Sequence, residues 1–352
     1  MSPSIPISEF LEAARQLPII DVRSPAEFEK GHIPGAFNIP LFSNEERARI
    51  GTSYKQQGKD PAVLLGLEIV GPRLASFVKQ AAVLTREKKV LVHCWRGGMR
   101  SSSFAWLLNT SGIEAVTLRG GYKAYRHLVQ KSFEKKLNLI VLGGETGSGK
   151  TDILKQIALR GEQMLDLEGF AHHKGSSFGA LGQLPQPSSE AFENHLSDAL
   201  RKLDTSKRIW VEDESRSIGR VFIPDPFWIQ MKTAPLICIE LSKNVRIGRL
   251  LAEYGLFSKQ ELEAAVLRIQ KRLGGLATKQ CLEALAAGEL GVVADITLTY
   301  YDKAYNHSAL KNKKEEAKTL GYFIALSEDK PDSGAEKIIE LVNHQIPDYG
   351  KT

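Results

Sequence analysis

Over roughly the first third of the chain, short apolar runs alternate with amphipathic stretches and turn signals. Pro18-Ile19-Ile20-Asp21-Val22, Val90-Leu91-Val92 and Ala115-Val116-Thr117-Leu118 have the length and β-branched content of buried strands. Ser24-Pro25 opens a helix through Phe28, with serine as N-cap and proline in the first turn. Gly31 to Ala36 is a turn-rich connector into Phe37-Asn38-Ile39-Pro40, and Pro72–Thr85 and Ser101–Leu108 read as helices. This alternation predicts a small α/β domain with a mainly parallel sheet. The pattern restarts at Leu137: Leu139–Leu142 is a strand and Asp152–Leu159 a helix, and Arg208–Val211 and Leu236–Leu241 are further strands. Helices lie between and after them, the last over Ala335–Asn343. The break falls in the charged segment Lys131–Lys136, which predicts two α/β domains, 1–134 and 135–352, the second with a helical tail.

A chain of 352 residues is too long for one ordinary core, in keeping with two domains. Its 42% hydrophobic and 25% charged content is that of a globular protein and excludes a disordered chain. No apolar run approaches the ~18 residues of a membrane span, so no transmembrane helix is expected. Met1 to Pro6 lacks the basic and apolar regions of a signal peptide. Cys94, Cys238 and Cys281 are far apart with no C-x-x-C pair, which argues against disulfides or a zinc site and for a reducing, cytoplasmic setting. Cys238, in an apolar strand, and Cys281, at a helix, read as core.

The net charge of +6 is a mild excess, and its distribution says more. Arg119, Lys123, Arg126, Lys131, Lys135 and Lys136 face only Glu134, interleaved with Tyr122, Tyr125 and Phe133. A second basic stretch runs from Arg268 through Lys271-Arg272 to Lys279. Either alone reads as a solvated helix face. Together with the chemistry below they become candidate phosphate-backbone contacts, with Lys123, Arg126, Lys131, Lys271 and Arg272 foremost.

Two loops carry that chemistry. Cys94-Trp95-Arg96-Gly97-Gly98-Met99-Arg100-Ser101 follows a strand and opens a helix, so backbone N–H groups converge on the sulfur. Arg96 and Arg100 add fixed positive charge that favours the nucleophilic thiolate. Cys94 to Arg100 is C-x5-R, a loop of cysteine-phosphatase length and one residue longer than the usual sulfurtransferase loop. That ring suits a tetrahedral anion of phosphate size. Downstream, Gly144-Glu145-Thr146-Gly147-Ser148-Gly149-Lys150-Thr151 matches the P-loop with strand before and helix after. Its N–H groups and Lys150 suit a diphosphate, and Thr151 could ligate Mg²⁺.

Ile209-Trp210-Val211-Glu212-Asp213-Glu214 is an apolar strand ending in acids, as in a Walker B element, and predicts Asp213 or Glu212 as the partner of Thr151 and of any Mg²⁺. Arg216 and Arg220 follow closely, and His172 and Ser176 lie in a polar loop; all four are candidate substrate contacts. His172-His173 lacks a third ligand at useful spacing, so no metal is assigned there.

Asp21-Val22-Arg23-Ser24-Pro25-Ala26-Glu27-Phe28, then Gly31 to Ala36 and Asn38-Ile39-Pro40, resembles the rhodanese-domain signature. Such a domain with His93 to Ser101, followed in the same chain by Gly143 to Thr151, resembles the tRNA 2-selenouridine synthase family. The resemblance covers nearly the whole chain, through Glu168–Gly179 and Val211–Ser215. It implies an N-terminal rhodanese-like domain with a parallel sheet and a C-terminal P-loop NTPase-like α/β domain. It also implies a transferase that replaces sulfur by selenium at C2 of wobble 2-thiouridine in tRNA. Selenophosphate would be the donor, and an S-geranylated intermediate would be made from geranyl diphosphate. Giving the selenium donor to Cys94, Arg96 and Arg100, and the prenyl diphosphate to the P-loop, is an inference from loop size and charge and not part of the resemblance. No tightly bound cofactor is implied, and the partners are tRNA and a supplier of selenophosphate, with no membrane. The residues alone leave open a rhodanese-type sulfurtransferase fused to an ATP-dependent kinase-like domain.

Overall fold

The computed structural model describes residues 2–315, 321–347 and 349. The chain falls into two compact units: Met1–Ser132 with Glu193–Asp198, and Phe133–Phe192 with Ala199–Thr352.

In the first unit β1 (Ser4–Ile5), α1 (Ile7–Ala13), β2 (Ile19–Asp21), α2 (Pro25–Lys30) and β3 (Phe37–Asn38) come first. They are followed by α3 (Asn44–Gln56), α4 (Lys59–Val70) and α5 (Leu74–Leu84), then β4 (Lys89–His93), α6 (Met99–Thr110), β5 (Glu114–Leu118) and α7 (Gly121–Ser132). All strand pairs are parallel, in the order β1-β5-β4-β2-β3. Parallel neighbours need crossover connections, which explains why their strands read as continuous apolar runs rather than alternating ones. Val90 and Val92 of β4 join Phe77, Ala81, Phe104 and Leu108 in one core. Ser24 caps α2 in a capping box with Glu27, and Pro25 takes the first turn, as the sequence predicts.

One helical stretch bears on the expectation of no transmembrane helix without overturning it. α4, a single 3₁₀ turn and α5 form one 26-residue helical stretch, Lys59–Leu84, with a mean hydropathy of 1.4 over an 18-residue window. By length and composition alone it is long and apolar enough to cross a membrane. Glu68 and Arg73 interrupt the apolar run in sequence but not the helical path, which is why counting uninterrupted runs missed it. Val70, Phe77 and Ala81 from this stretch are nevertheless part of the domain core.

The second unit contains β6 (Asn138–Gly144), α8 (Lys150–Leu159), β7 (Gln163–Leu165), α9 (Leu167–Ala171), the two ends of α10 (Ser189–Leu200), whose residues Glu193–Asp198 belong to the first unit, and β8 (Arg208–Glu212). A hairpin of β9 (Ser217–Ile218) and β10 (Val221–Phe222) and helix α11 (Asp225–Thr233) lead to β11 (Leu236–Leu241). Helices α12 (Lys243–Tyr254), α13 (Lys259–Leu273), α14 (Gly275–Ala287) and α15 (Leu290–Glu315) follow, then β12 (Gly321–Leu326) and α16 (Pro331–Gln345). The parallel sheet runs β12-β11-β6-β8-β7. β6 is central, with β8 and β7 on one side and β11 and β12 on the other, so strand order reverses beside it. In open α/β sheets that reversal leaves a crevice at the carboxyl ends of the strands. Ile140, Leu142, Ile153, Trp210 and Ile239 centre the sheet core, and Leu262, Val266, Cys281, Leu285 and Val293 form a separate core among the helices. Cys238 and Cys281 are both buried, as expected of structural cysteines.

Two glycines make the first unit's key loop possible. Gly97 has φ +67° and Gly121 φ +59°, and each lies where the other's backbone passes. A Cβ at Gly121 would sit 2.4 Å from both Cys94 O and Gly97 N. Gly121→Ala is therefore expected to cost at least about 2 kcal/mol, from the clash and the left-handed backbone together. Urea denaturation of the purified variant measures it; a midpoint equal to that of the parent protein would contradict the packing described here.

Candidate active site

β4 carries the chain outward to Cys94, and the loop that follows is fixed from below. The amides of Tyr122 and Lys123, in the first turn of α7, donate to Cys94 O at 2.8 Å and Trp95 O at 2.9 Å. The Cys94 sulfur lies 3.2 Å from the Ser101 hydroxyl, which donates to Gly98 O at 3.1 Å. Beneath the loop, buried Arg23 donates to Asp21 through Nε at 2.9 Å and Nη2 at 2.6 Å, and to Gly31 O at 2.7 Å. Its guanidinium stacks 3.7 Å from the centre of the Tyr122 ring, on which Trp95 also leans. The Asp21-Val22-Arg23 segment is thus the footing of the cysteine loop. Arg100 donates to Glu27 at 2.9 Å, and Glu27 also accepts from the Ser24 amide. Burial would raise the Glu27 carboxyl, but Arg100, the Ser24 amide and Arg47 hold it below its ordinary value. Arg96 is exposed at the loop rim, and Met99 is exposed where α6 begins.

In the second unit the P-loop leaves β6 and enters α8 at the strand-order reversal. Gly149, the N-cap of α8, and Gly147 both have φ +78°. Lys150 Nζ donates to Gly144 O at 2.8 Å, and buried Ser148 lies within the loop. Arg246 of α12, only 3% exposed, grips the loop from the side. It pairs with Glu145 at 2.8 Å, donates to Thr146 O at 3.2 Å, and is neutralised by Asp302 of α15 at 2.8 and 2.9 Å. Arg249, one turn on, bridges Asp152 in the first turn of α8 and Asp329. Using most of a buried guanidinium's donors on satisfied acceptors is what makes such a charge tolerable.

An acidic cluster flanks the loop. The Thr151 hydroxyl donates to Glu168 at 3.0 Å. Burial, and then the charge of Glu168, push the Glu214 carboxyl well above its ordinary value. Glu212 is fully buried and accepts from the Leu167 amide at 3.1 Å. Burial pushes it up to about 8, with the charges of Asp166 and Glu168 adding to the effect. Asp213 is raised by burial and accepts from the Tyr305 hydroxyl at 3.2 Å, which itself accepts from the Gly144 amide at 3.1 Å.

Two sequence families match this architecture: the rhodanese-like domain over residues 7–128, and the tRNA 2-selenouridine synthase AAA domain over residues 137–323. A tRNA 2-selenouridine synthase of Shewanella pealeana is 35% identical across 89% of this chain and 94% of its own length. One from Bdellovibrio bacteriovorus is 35% identical across 83% and 88%. The chain belongs to the tRNA 2-selenouridine synthase family. Among solved structures it is similar to the N-terminal domain of a putative ATP/GTP binding protein from Clostridium difficile 630. That match has 41% identity over 36% of this chain and 98% of the other, and a TM-score of 0.34.

Against this family background, some expected contacts need correction. Neither Asp213 nor Glu212 is the partner of Thr151: α8 turns the threonine toward Glu168 on α9, while Asp213 is held by Tyr305 and Glu212 by the Leu167 amide. Tyr122, Tyr125 and Phe133 are buried core residues rather than exposed aromatics between basic ones. The helical spacing of Tyr122, Tyr125 and Val129 turns them to the apolar face of α7. Arg126 is committed to Glu193 and Asn194, whereas Lys123, Lys131, Lys271 and Arg272 are exposed. His172 faces Pro185 O at 2.9 Å, and exposed Arg216 pairs with Asp225 at 2.5 Å; Arg220 is exposed at the β9–β10 turn. Ser176 receives the Phe178 amide at 3.2 Å. Sequence reasoning missed Arg23, Glu168, Arg246 and Tyr305 as site residues.

Glu212 gives a test through pH. Its folded value near 8 stands above the ordinary 4.5, so the folded chain holds a proton that the unfolded chain has lost. Its contribution is therefore fully present below about pH 4.5 and drains away as pH rises toward 8. Glu212→Gln is expected to be more stable than the parent at pH 8, on the order of 2 kcal/mol, with the gap closing toward pH 5. Urea midpoints at the two pH values, without divalent cations, measure it; a pH-independent gap would contradict the assignment.

Proposed function

We propose that this chain is a tRNA 2-selenouridine synthase that exchanges sulfur for selenium at C2 of a wobble 2-thiouridine in tRNA, in two steps at two sites. One observation carries the reading: a single family member joins a cysteine-centred oxyanion loop to a P-loop, each at the carboxyl end of a parallel strand. In the first step the thiocarbonyl sulfur attacks C1 of geranyl diphosphate. The C–O bond breaks and pyrophosphate leaves with the bonding pair. The P-loop amides and Lys150 stabilise the charge developing on that leaving group. Alkylation turns a poor leaving group into a good one.

In the second step the selenium of selenophosphate adds at C2 and geranyl thiolate departs; water then cleaves the P–Se bond, releasing inorganic phosphate and leaving selenium on C2. The Cys94 loop takes the selenium donor, a tetrahedral anion that fits its wide ring of amides. Arg96 and Arg100 orient that donor, while Trp95, Gly97, Gly98, Met99 and Ser101 shape the loop. Asp21, Arg23 and Tyr122 act as positioning residues beneath it. The tRNA substrate places the work in the cytoplasm, with a selenophosphate-producing enzyme as upstream partner.

The division of labour is testable with purified variants and liquid chromatography of digested tRNA. Cys94→Ser is expected to abolish selenation and leave geranyl transfer intact. Lys150→Ala is expected to abolish geranyl transfer yet still selenate pre-geranylated tRNA. Loss of both products in both variants would refute two separate sites, and tRNA-stimulated ATP hydrolysis would assign the P-loop to a kinase-like step instead. For tRNA binding, neutralising about four phosphates predicts roughly 100-fold weaker affinity between about 50 and 200 mM salt. Replacing Lys123, Lys131, Lys271 and Arg272 by alanine is expected to flatten that dependence in filter binding; an unchanged slope would remove them from the interface.

A further inference from the structure

An apolar cavity opens beside the P-loop, within the second unit. Its enclosed part holds about 50 Å³, and the free space rises to about 560 Å³ when the open mouth is counted. Thr146 of the P-loop is part of its lining, with Leu250, Leu251, Tyr254, Val293 and Ala294 among its walls. The loop and the cavity are contiguous: a Cβ at Gly147 would lie 3.3 Å from Leu250 Cγ. The helices that build the walls, α12 and α15, are the two that supply Arg246 and Asp302 to the loop.

The hydroxyls of Thr297, Tyr301 and Tyr254 around this cavity are already engaged. The Thr297 hydroxyl donates to Val293 O at 2.7 Å, and the Tyr301 hydroxyl lies 2.6 Å from the Ser177 hydroxyl and accepts from the Ser177 amide at 3.0 Å. The Tyr254 hydroxyl is hydrogen-bonded to Ser176. A nucleobase offers hydrogen-bonding edges that these walls do not answer, and burying such edges unpaired is costly. A hydrocarbon chain asks nothing of them and gains from leaving water.

We infer that this cavity between α12 and α15 is the subsite for the hydrocarbon tail of a prenyl diphosphate whose head group lies in the P-loop. The inference rests on the proposed use of the P-loop for a diphosphate, and adds to it where the chain goes and which residues measure it. Ala294 and Leu251 become specificity residues: the first limits the room in the cavity, the second covers its mouth.

Calorimetric titration of the full chain tests this with inorganic pyrophosphate and with dimethylallyl, geranyl and farnesyl diphosphates. The parent is expected to bind geranyl diphosphate at least about tenfold more tightly than inorganic pyrophosphate, with dimethylallyl diphosphate in between. Ala294→Phe is expected to erase that tenfold gain while leaving pyrophosphate binding unchanged. Should Ala294→Phe fail to fold, Leu251→Gln at the half-open mouth is expected to weaken geranyl diphosphate several-fold with the same selectivity. Lys150→Ala is expected to weaken all four ligands.

If folded Ala294→Phe and Leu251→Gln both keep the full geranyl gain, the cavity is not the tail site. The diphosphate reading then survives, provided Lys150→Ala still loses pyrophosphate. Unaltered pyrophosphate binding in Lys150→Ala would overturn the head-group assignment and this inference with it.

Discussion

In both units the chain leaves the carboxyl end of a parallel strand buried in its sheet and must turn at once into a helix. The amides of such a turn belong to neither the strand ladder nor the helix, and those of the first helical turn have no intrahelical acceptor. Left unpaired in a buried position they would cost as much as lost hydrogen bonds. Collected around a point, they form a concave ring of positive dipole ends that an anion satisfies. This constraint of backbone geometry produces the Cys94 loop after β4 and the P-loop after β6. The side chains that differ between them, a thiol in one and a lysine in the other, decide the chemistry.

Neither ring would hold its shape unaided, and the two are braced in different ways. The cysteine loop is locked by backbone, since Gly97 and Gly121 let two turns pass at distances that leave no room for a Cβ. The stacked pair of Arg23 and Tyr122 lies below. The P-loop is braced by ions: Arg246 holds Glu145 and the Thr146 carbonyl, with Asp302 as counter-charge. Both braces keep donors aimed at a fixed point, which is what lets a site stabilise charge without reorganising.

Much of this was legible in sequence because the signals are local. Strand β11, both glycine-rich loops and the Ser24 cap are each encoded within a few consecutive residues, and the structure forms them where the pattern predicts. The partners that finish the second site were not legible. Glu168 reaches Thr151 from seventeen positions away, and Tyr305 reaches Gly144 from 161. No periodicity announces such a meeting. The aromatic residues of α7 show the opposite error: their spacing was the ordinary spacing of an apolar helix face, and basic neighbours made it look like a nucleic-acid surface.

Helix α12 carries Arg246, Arg249, Leu250, Leu251 and Tyr254 on one continuous rod. From Arg246 at the phosphate loop to Leu250 at the cavity wall is four residues, a rise of about 6 Å in a helix. Helices do not stretch, so the spacing between charged head and apolar tail is set by covalent geometry rather than by loop flexibility. α12 is a ruler: under the proposed reading it would measure a ligand from its phosphates inward, because the clamp on the loop and the cavity wall cannot move apart.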